Sequence, residues 1–225
     1  MLNVYIDGDL LVHQSIWGSN SKNDVKKKLN SAILNIMKTT EADNGKIAVR
    51  GPDNFRREIY PAYKANRKKE MTEKERELFD YSYNQLESHW GAEKATGMEA
   101  DDLLAIWHTE TPGIIASLDK DMLQVPGLHY NFRSKEFQYI EEEEASYLLH
   151  LQMLTGDSTD NIKGLKGIGP VKAKKILAGV PAKRHLNRVK AAWRANHGLG
   201  WERELQLNTD LLYLRRSHDD RYLIK

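Results

Sequence analysis

The sequence predicts an α/β protein built on a mostly parallel central sheet flanked by helices, followed by a helical C-terminal region. Three observations carry this. Short apolar runs alternate with stretches of helical periodicity through the first two-thirds of the chain. An aspartate follows each of the first three apolar runs, and from about Glu141 onward the strand signal fades into a helical, basic sequence. Strands that alternate with helices favour parallel pairing, because parallel neighbours need a crossover between them.

The elements follow in order. Asn3 to Ile6 is a short apolar strand. Val25, Leu29, Ala32, Ile33 and Ile36 recur at helical spacing and predict an amphipathic helix. Lys46 to Arg50 is a second strand and Gly113 to Leu118 a third. Between them lie two helices. One begins near Thr72, where Thr72-Glu-Lys-Glu75 fits a capping box, and presents Phe79, Tyr83, Leu86 and Trp90 on one face. The other begins near Met98 and buries Ala100, Leu103, Leu104 and Trp107. Leu128 to Phe132 and Phe137 to Ile140 read as shorter strands. Glu141 to Glu144 open a helix whose positive N-terminal dipole favours them, with Leu148, Leu149, Leu151 and Leu154 supplying its apolar side. The change of character near residue 145 divides the chain into regions 1–145 and 146–225.

Composition limits the functional classes. The 225 residues are 40% hydrophobic and 29% charged, with no run near the roughly 20 apolar residues of a membrane span. The first residues, Met1-Leu-Asn-Val-Tyr-Ile-Asp7, lack the basic start of a signal peptide. There is no cysteine, which excludes disulfides and thiolate metal sites and suits a reducing cytoplasm. The net charge is only +2. Setting aside the nine acidic residues discussed next leaves 34 basic against 23 acidic residues, a balance of +11 on the rest of the chain. A basic protein around an acidic pocket suits a polyanion held against a metal, although the charge counts alone fit a mixed, solvated surface better.

The acidic residues fall where such a pocket would form. Asp7 follows the first strand, Asp53 the second, and Asp119 and Asp121 the third. Ligand sites of open α/β sheets lie outside the carboxyl ends of the strands, so these carboxylates share one edge. Glu99, Asp101 and Asp102 occupy the first turn of the helix after Gly97, and Asp157 and Asp160 precede a glycine-rich turn. So many carboxylates in one cleft repel one another unless a cation neutralises them. An all-oxygen donor set selects magnesium or manganese rather than zinc, and two such ions can clamp the attacking and leaving oxygens of a phosphoryl group. Taken singly, each acid also reads as a turn former or a helix cap.

Four segments, in order, resemble the 5′ nuclease superfamily of phage 5′ exonucleases, flap endonucleases and the 5′ nuclease domains of bacterial DNA polymerases. They are Phe55-Arg-Arg-Glu-Ile-Tyr60-Pro-Ala-Tyr63-Lys64-Ala-Asn-Arg67, Gly97-Met-Glu99-Ala-Asp101-Asp102, Ser117-Leu-Asp119-Lys-Asp121, and Gly156-Asp157-Ser-Thr-Asp160-Asn161 with the glycine turn after it. The resemblance covers about residues 1 to 180. It implies a PIN-like nuclease core with a small helical arch, and a C-terminal helix-two-turn-helix element that grips DNA and completes the active site.

The resemblance also assigns roles. Asp7, Asp53, Glu99, Asp101, Asp102, Asp119, Asp121, Asp157 and Asp160 become metal-site carboxylates for two magnesium or manganese ions. Lys64 and Arg67 become the basic pair that approaches the scissile phosphate, while Lys68 and Lys69 read as a solvated basic run. Gly164, Gly167, Ile168 and Gly169, with Lys172, Lys174 and Lys175 in the next helix, become the DNA-binding hairpin, which in the family holds a potassium ion on backbone carbonyls. Arg184, Arg188 and Lys190 add phosphate contacts. Tyr60 or Tyr63 either stacks on a frayed base or packs in the core. The function implied is 5′-3′ exonuclease or 5′ flap endonuclease action on DNA. The partner is duplex DNA with a 5′ end or flap, with an RNA–DNA hybrid as a further substrate. The expectation is a monomeric, stand-alone phage enzyme in the host cytoplasm. The alternative is a ribonuclease on a related α/β fold.

Overall fold

Six strands form the central sheet of the molecule, for which a computed structural model describes residues 1–67 and 70–224. In chain order the elements are β1 (Asn3–Asp7), α1 (Gly8–Ile16), α2 (Lys22–Thr40), β2 (Asn44–Val49), α3 (Phe55–Ile59), α4 (Glu73–Trp90), β3 (Glu93–Lys94), α5 (Ala100–Glu110), β4 (Ile114–Ala116), a 3-10 turn (Lys120–Gln124), β5 (Gly127–Asn131) and β6 (Glu136–Ile140). There follow α6 (Glu142–Thr155), the short hairpin β7 (Gly156–Asp157) and β8 (Ile162–Lys163), α7 (Pro170–Leu177), a second 3-10 turn (Ala182–Arg184), α8 (His185–His197) and α9 (Trp201–Leu212).

The sheet order is β3-β2-β1-β4-β5-β6, and every pair is parallel except β5 with β6. The chain winds one way from β1 to β3 and the other way from β4 to β6. The strand order therefore reverses between β1 and β4, the crevice where such sheets bind ligands. Alternation along β1 decides which layer each residue serves. Val4 and Ile6 face α1, α2 and α4, whereas Tyr5 faces α5. A third apolar cluster joins α6, α7, α8 and α9 through Met153, Leu154, Leu177, Val189, Trp193 and Leu205.

The long periodic segments form where their patterns place them. Val25, Leu29, Ile33 and Ile36 are the buried face of α2. The capping box of α4 is present: Glu75 N donates to Thr72 Oγ1 at 3.2 Å, and Thr72 N donates to Glu75 Oε2 at 2.8 Å. Helix α5 starts at Ala100, two residues after Met98, because Glu99 is its extended N-cap. Helix α1, helix α3, strand β3 and the β7–β8 hairpin were not legible, being too short to show a period. Helix α1 enters so close to β2 that a Cβ on Gly8 would stand 2.7 Å from the Ala48 carbonyl oxygen.

The stretch between Arg67 and Gly97 is occupied chiefly by α4, which buries Leu78, Ser82 and Leu86 against the sheet-side cluster. Lys68 and Lys69 lie outside the described residues. Among the described residues no helix is long and apolar enough to cross a membrane.

Candidate active site

A cleft of about 2380 Å³ opens at the carboxyl ends of the strands and is lined by Asp7, Asp53, Glu99, Asp101, Asp119, Asp121, Asp157 and Asp160, together with Lys64 and Arg67. Each acid is held by its own local backbone. Asp7 ends β1 and caps α1, accepting from Leu10 N at 3.1 Å, and its other oxygen accepts from Ser117 Oγ at 2.8 Å. Ser117 Oγ also accepts from Asp119 N at 3.0 Å, so one hydroxyl ties the ends of β1 and β4 together. Asp119 caps the 3-10 turn by accepting from Asp121 N at 2.9 Å. Asp157 accepts from Thr159 N at 2.7 Å within its own loop.

The electrostatics of these acids suit a cation. Burial, followed by the charges of Asp9 and Asp119, pushes the Asp7 carboxyl up to about 7. Burial, then Asp119 and Asp157, pushes Asp121 up to about 7. Asp101 is raised well above the usual carboxylate range by burial and by Asp7, Asp119 and Glu99. Acids held this way are destabilising while ionised and are relieved either by protons or by a cation. Among the described residues no three His, Asp or Glu side chains are yet gathered at metal-coordinating distance. The oxygen-only donors and their mutual repulsion nonetheless fit a hard divalent cation.

A pH dependence follows. Groups raised from about 3.9 to near 7 bind more protons folded than unfolded, so stability rises as pH falls through 7. Burial holds His108, His129 and His150 neutral, and these act in the opposite sense once pH drops below about 6.5. In chelator, Tm is therefore expected to rise between about pH 8 and 6.5, and magnesium is expected to raise Tm more at pH 8 than at pH 6.5. Thermal melts at the two pH values, with and without the ion, check this. A magnesium effect independent of pH would contradict it.

Lys64 and Arg67 form the opposite wall with Glu99 and Asp160. Lys64 Nζ donates to Glu99 Oε1 at 2.6 Å and lies 3.4 Å from Asp160 Oδ2. Arg67 pairs with the other oxygen of Asp160. Burial pulls the Lys64 ammonium down, but Glu99 and then Asp160 outweigh it, and the net shift is upward. Lys64 adopts the left-handed region at φ 55°, fixed by its amide donating to the Asp160 carbonyl at 2.9 Å. Tyr63 is buried, and its hydroxyl donates to Glu99 at 2.9 Å and contacts Asp160 at 3.2 Å. Its ring is therefore core and not a base-stacking surface.

Two expectations, for Asp102 and Gly164, need correction. Asp102 does not line the cleft. Its side chain is fully buried and takes a bidentate pair from Arg56, at 2.6 and 2.9 Å, plus the amides of Glu99 and Arg215 at 3.0 Å each. Arg56 holds its carboxyl below the usual range despite burial, and no lone pair faces a metal. Asp53 stays with the other acids on the cleft wall, exposed, where one oxygen accepts from Gly97 N at 2.9 Å and latches the β2 loop to the turn before α5. Gly164 serves packing rather than phosphate approach: a Cβ there would meet the Thr155 backbone at 2.1 Å. Gly167 and Gly169 are open, and Lys172 Nζ donates to the Gly167 carbonyl at 2.9 Å. Lys174 and Lys175 are exposed on α7.

Two residues at the site escaped the sequence reading. Asp9 accepts from Arg50 N at 3.1 Å and Tyr83 Oη at 3.0 Å, joining α1 to β2 and α4. Its signal was its place two residues after Asp7, in a helix too short to recognise. Gln152 Nε2 donates to Asp121 Oδ1 at 2.6 Å, and Gln124 Nε2 donates to Gln152 Oε1 at 2.6 Å. Nothing in the leucine-rich α6 sequence distinguishes Gln152 from a solvated position.

Residues 4–147 match the model of the 5′-3′ exonuclease N-terminal resolvase-like domain family. The chain is 30% identical over 201 residues to DNA polymerase I of Deinococcus radiodurans, covering 77% of this chain and 20% of that protein. It is 28% identical to flap endonuclease Xni of a Shewanella species, covering 76% of this chain and 72% of that protein. The chain thus spans a fifth or less of the DNA polymerase I relatives. A bacteriophage T5 5′-exonuclease solved with bound zinc shares the fold at a TM-score of 0.68 and 22% identity, covering 93% of this chain and 89% of that one. A bacteriophage T5 flap endonuclease solved with DNA and metal ions superposes at 0.66 with 18% identity, covering 94% and 99%.

Proposed function

Because the chain belongs to the 5′-3′ exonuclease family through its N-terminal resolvase-like domain, we propose that it hydrolyses DNA phosphodiester bonds at 5′ ends or 5′ flaps. The observation that carries this is the meeting of Asp7, Asp101, Asp119, Asp121 and Asp157 in one cleft at the β1/β4 switch point, with Lys64 and Arg67 on its wall. Those five acids are the ones that would hold divalent ions, and magnesium or manganese suits them. When bound, two such ions supply Lewis acidity at the attacking and leaving oxygens. Water adds to phosphorus and the bond from phosphorus to the 3′ oxygen breaks, leaving a 5′-phosphate and a 3′-hydroxyl.

The protein's own groups do the rest. Ser117 orients Asp7 and Asp119 together. Glu99, Asp160 and Tyr63 hold Lys64 at the cleft edge, where its ammonium can stabilise charge developing on the phosphate. Lys64→Ala is expected to lower kcat by about 10²–10³-fold, the scale of losing one preorganised electrostatic donor, with little change in DNA affinity. Equal kcat and a weaker Kd would make Lys64 a phosphate tether only. Phosphates beyond the cut would meet Gly167, Gly169 and the lysines of α7, backbone contacts that carry no base code. A potassium ion at the hairpin would sit on its backbone carbonyls, one of which, that of Gly167, accepts from Lys172 Nζ at 2.9 Å.

The test is DNA labelled at an internal position and offered as a blunt duplex and as a 5′ flap, with magnesium or with chelator. Magnesium-dependent mononucleotides from the blunt end are the exonuclease outcome, and one discrete fragment from the flap junction is the endonuclease outcome. Cleavage of RNA but of neither DNA would replace this reading with the ribonuclease.

A further inference from the structure

The wall of the cleft also includes Trp17, Lys28 and Arg133. Trp17 is 86% exposed, unusual for so large an apolar ring. Its backbone is nevertheless pinned. Its carbonyl accepts from Lys28 Nζ at 2.6 Å, its amide donates to His13 O, and the next turn is closed by Ser19 N on Ile16 O at 2.9 Å and by Ser19 Oγ on Ser15 O at 2.6 Å. The indole is thus presented on a rigid edge, with its apolar ring in solvent.

A second groove, of about 570 Å³, shares Lys28 with the cleft and runs on between α2 and the β5–β6 hairpin. Its lining contains Lys27, Lys28 and Lys135 and amide and hydroxyl donors such as Asn35, and no Asp or Glu. In a chain with nearly balanced charge, an acid-free groove opening from an acid-lined cleft is a marked segregation. Its volume is that of a small-ligand pocket, so it admits an unpaired nucleotide but not a duplex. An exposed aromatic followed by a positive groove is the combination that binds single strands, through base stacking and phosphate pairing.

We infer that Trp17 and the groove formed by Lys27, Lys28 and Lys135 are a binding track for a single-stranded arm of the nucleic acid, leading away from the active-site cleft. The inference rests on the nuclease reading above. An unpaired base stacks on the Trp17 ring, and the phosphates beyond it follow the three ammonium groups. Arg133, exposed on the cleft wall, adds a further cation on the cleft side of the track.

The test measures binding by fluorescence anisotropy in chelator, so that nothing is cut, across a series of salt concentrations. The probes are a blunt duplex and the same duplex carrying a 5′ or a 3′ single-stranded arm. Lys27→Gln/Lys28→Gln/Lys135→Gln is expected to bind at least one armed duplex about tenfold or more weakly. Its salt slope should be shallower by about 2, the share of three single-strand phosphate contacts, with blunt-duplex affinity unchanged. Trp17→Ala is expected to lose about tenfold on the same arm with the slope retained. All four side chains are exposed, and an unchanged Tm shows that the variants are folded. Wild-type affinity for both armed duplexes in these variants overturns the track, and so does an equal loss on the blunt duplex. Failure of the wild-type protein to bind any of the three DNAs instead overturns the nuclease reading, and the track with it.

Discussion

Asp119→Asn is expected to reduce cleavage by at least about 10³-fold while leaving the fold and DNA binding in place. The substitution is nearly isosteric. An asparagine Oδ1 can still accept from the Asp121 amide, which Asp119 caps at 2.9 Å, so the 3-10 turn behind the site survives. What is lost is the charge that faces Asp7, Asp101 and Asp121 and that raises all three. The same substitution relieves repulsion, so in chelator the variant should melt higher than wild type, whereas added magnesium should raise its Tm less. This opposite movement of stability and activity separates a metal-site acid from a structural one. Full activity in Asp119→Asn, or a large fall in its Tm, would remove Asp119 from the site.

Arg56→Met is expected to destabilise the protein by about 3–5 kcal/mol, since it leaves a fully buried carboxylate without its cation. Arg56 and Asp102 are 1% and 0% exposed at the side chain, so solvent does little to screen them. The guanidinium also donates to the Leu211 and Tyr213 carbonyls, at 2.9 and 2.7 Å, while Asp102 accepts from Arg215 N. One ion pair therefore fastens α3 and α5 to the end of α9. Burial pulls the arginine down and Asp102 more than restores it, so both groups stay ionised. At roughly 2–4 °C per kcal/mol for a chain of this size, Tm should fall by about 6–20 °C. Replacing both partners, as Arg56→Met/Asp102→Leu, should recover only part of that loss, because the uncompensated carboxylate is gone but the Leu211 and Tyr213 carbonyls and the Glu99 and Arg215 amides lose their partners. Asp102→Asn should likewise lower Tm yet leave direct magnesium binding intact. Weakened metal binding with unchanged Tm would return Asp102 to the metal site.

Much of the fold was legible because its long elements bury one face each. The period of α2, the capping box of α4 and the Glu99 start of α5 are local patterns, and local hydrogen bonds realise them. The short elements were not legible. α1 and α3 run nine and five residues and are held by contacts far away in sequence, such as Asp9 to Tyr83 and Asn54 Nδ2 to Glu99 at 2.9 Å. Motif spacing placed Asp7, Asp101, Asp119 and Asp121 at one edge, because an acid just past a parallel strand or at a helix start has few other places to point, whereas Asp157 reaches the same cleft from the antiparallel β7–β8 hairpin.

By itself, the sequence determined the class of chemistry: carboxylates without cysteine, on the carboxyl edge of a parallel sheet, in a chain whose charge outside those carboxylates is positive. The tertiary structure alone decided how the acids divide their labour. Asp101 and Asp102 are adjacent in the same helix turn, yet one faces the cleft and the other is turned inward onto Arg56. Successive helical residues point about 100° apart, so neighbouring acids meet different surroundings. A buried arginine captures whichever carboxylate faces it, and that pairing is made by a residue 46 positions away.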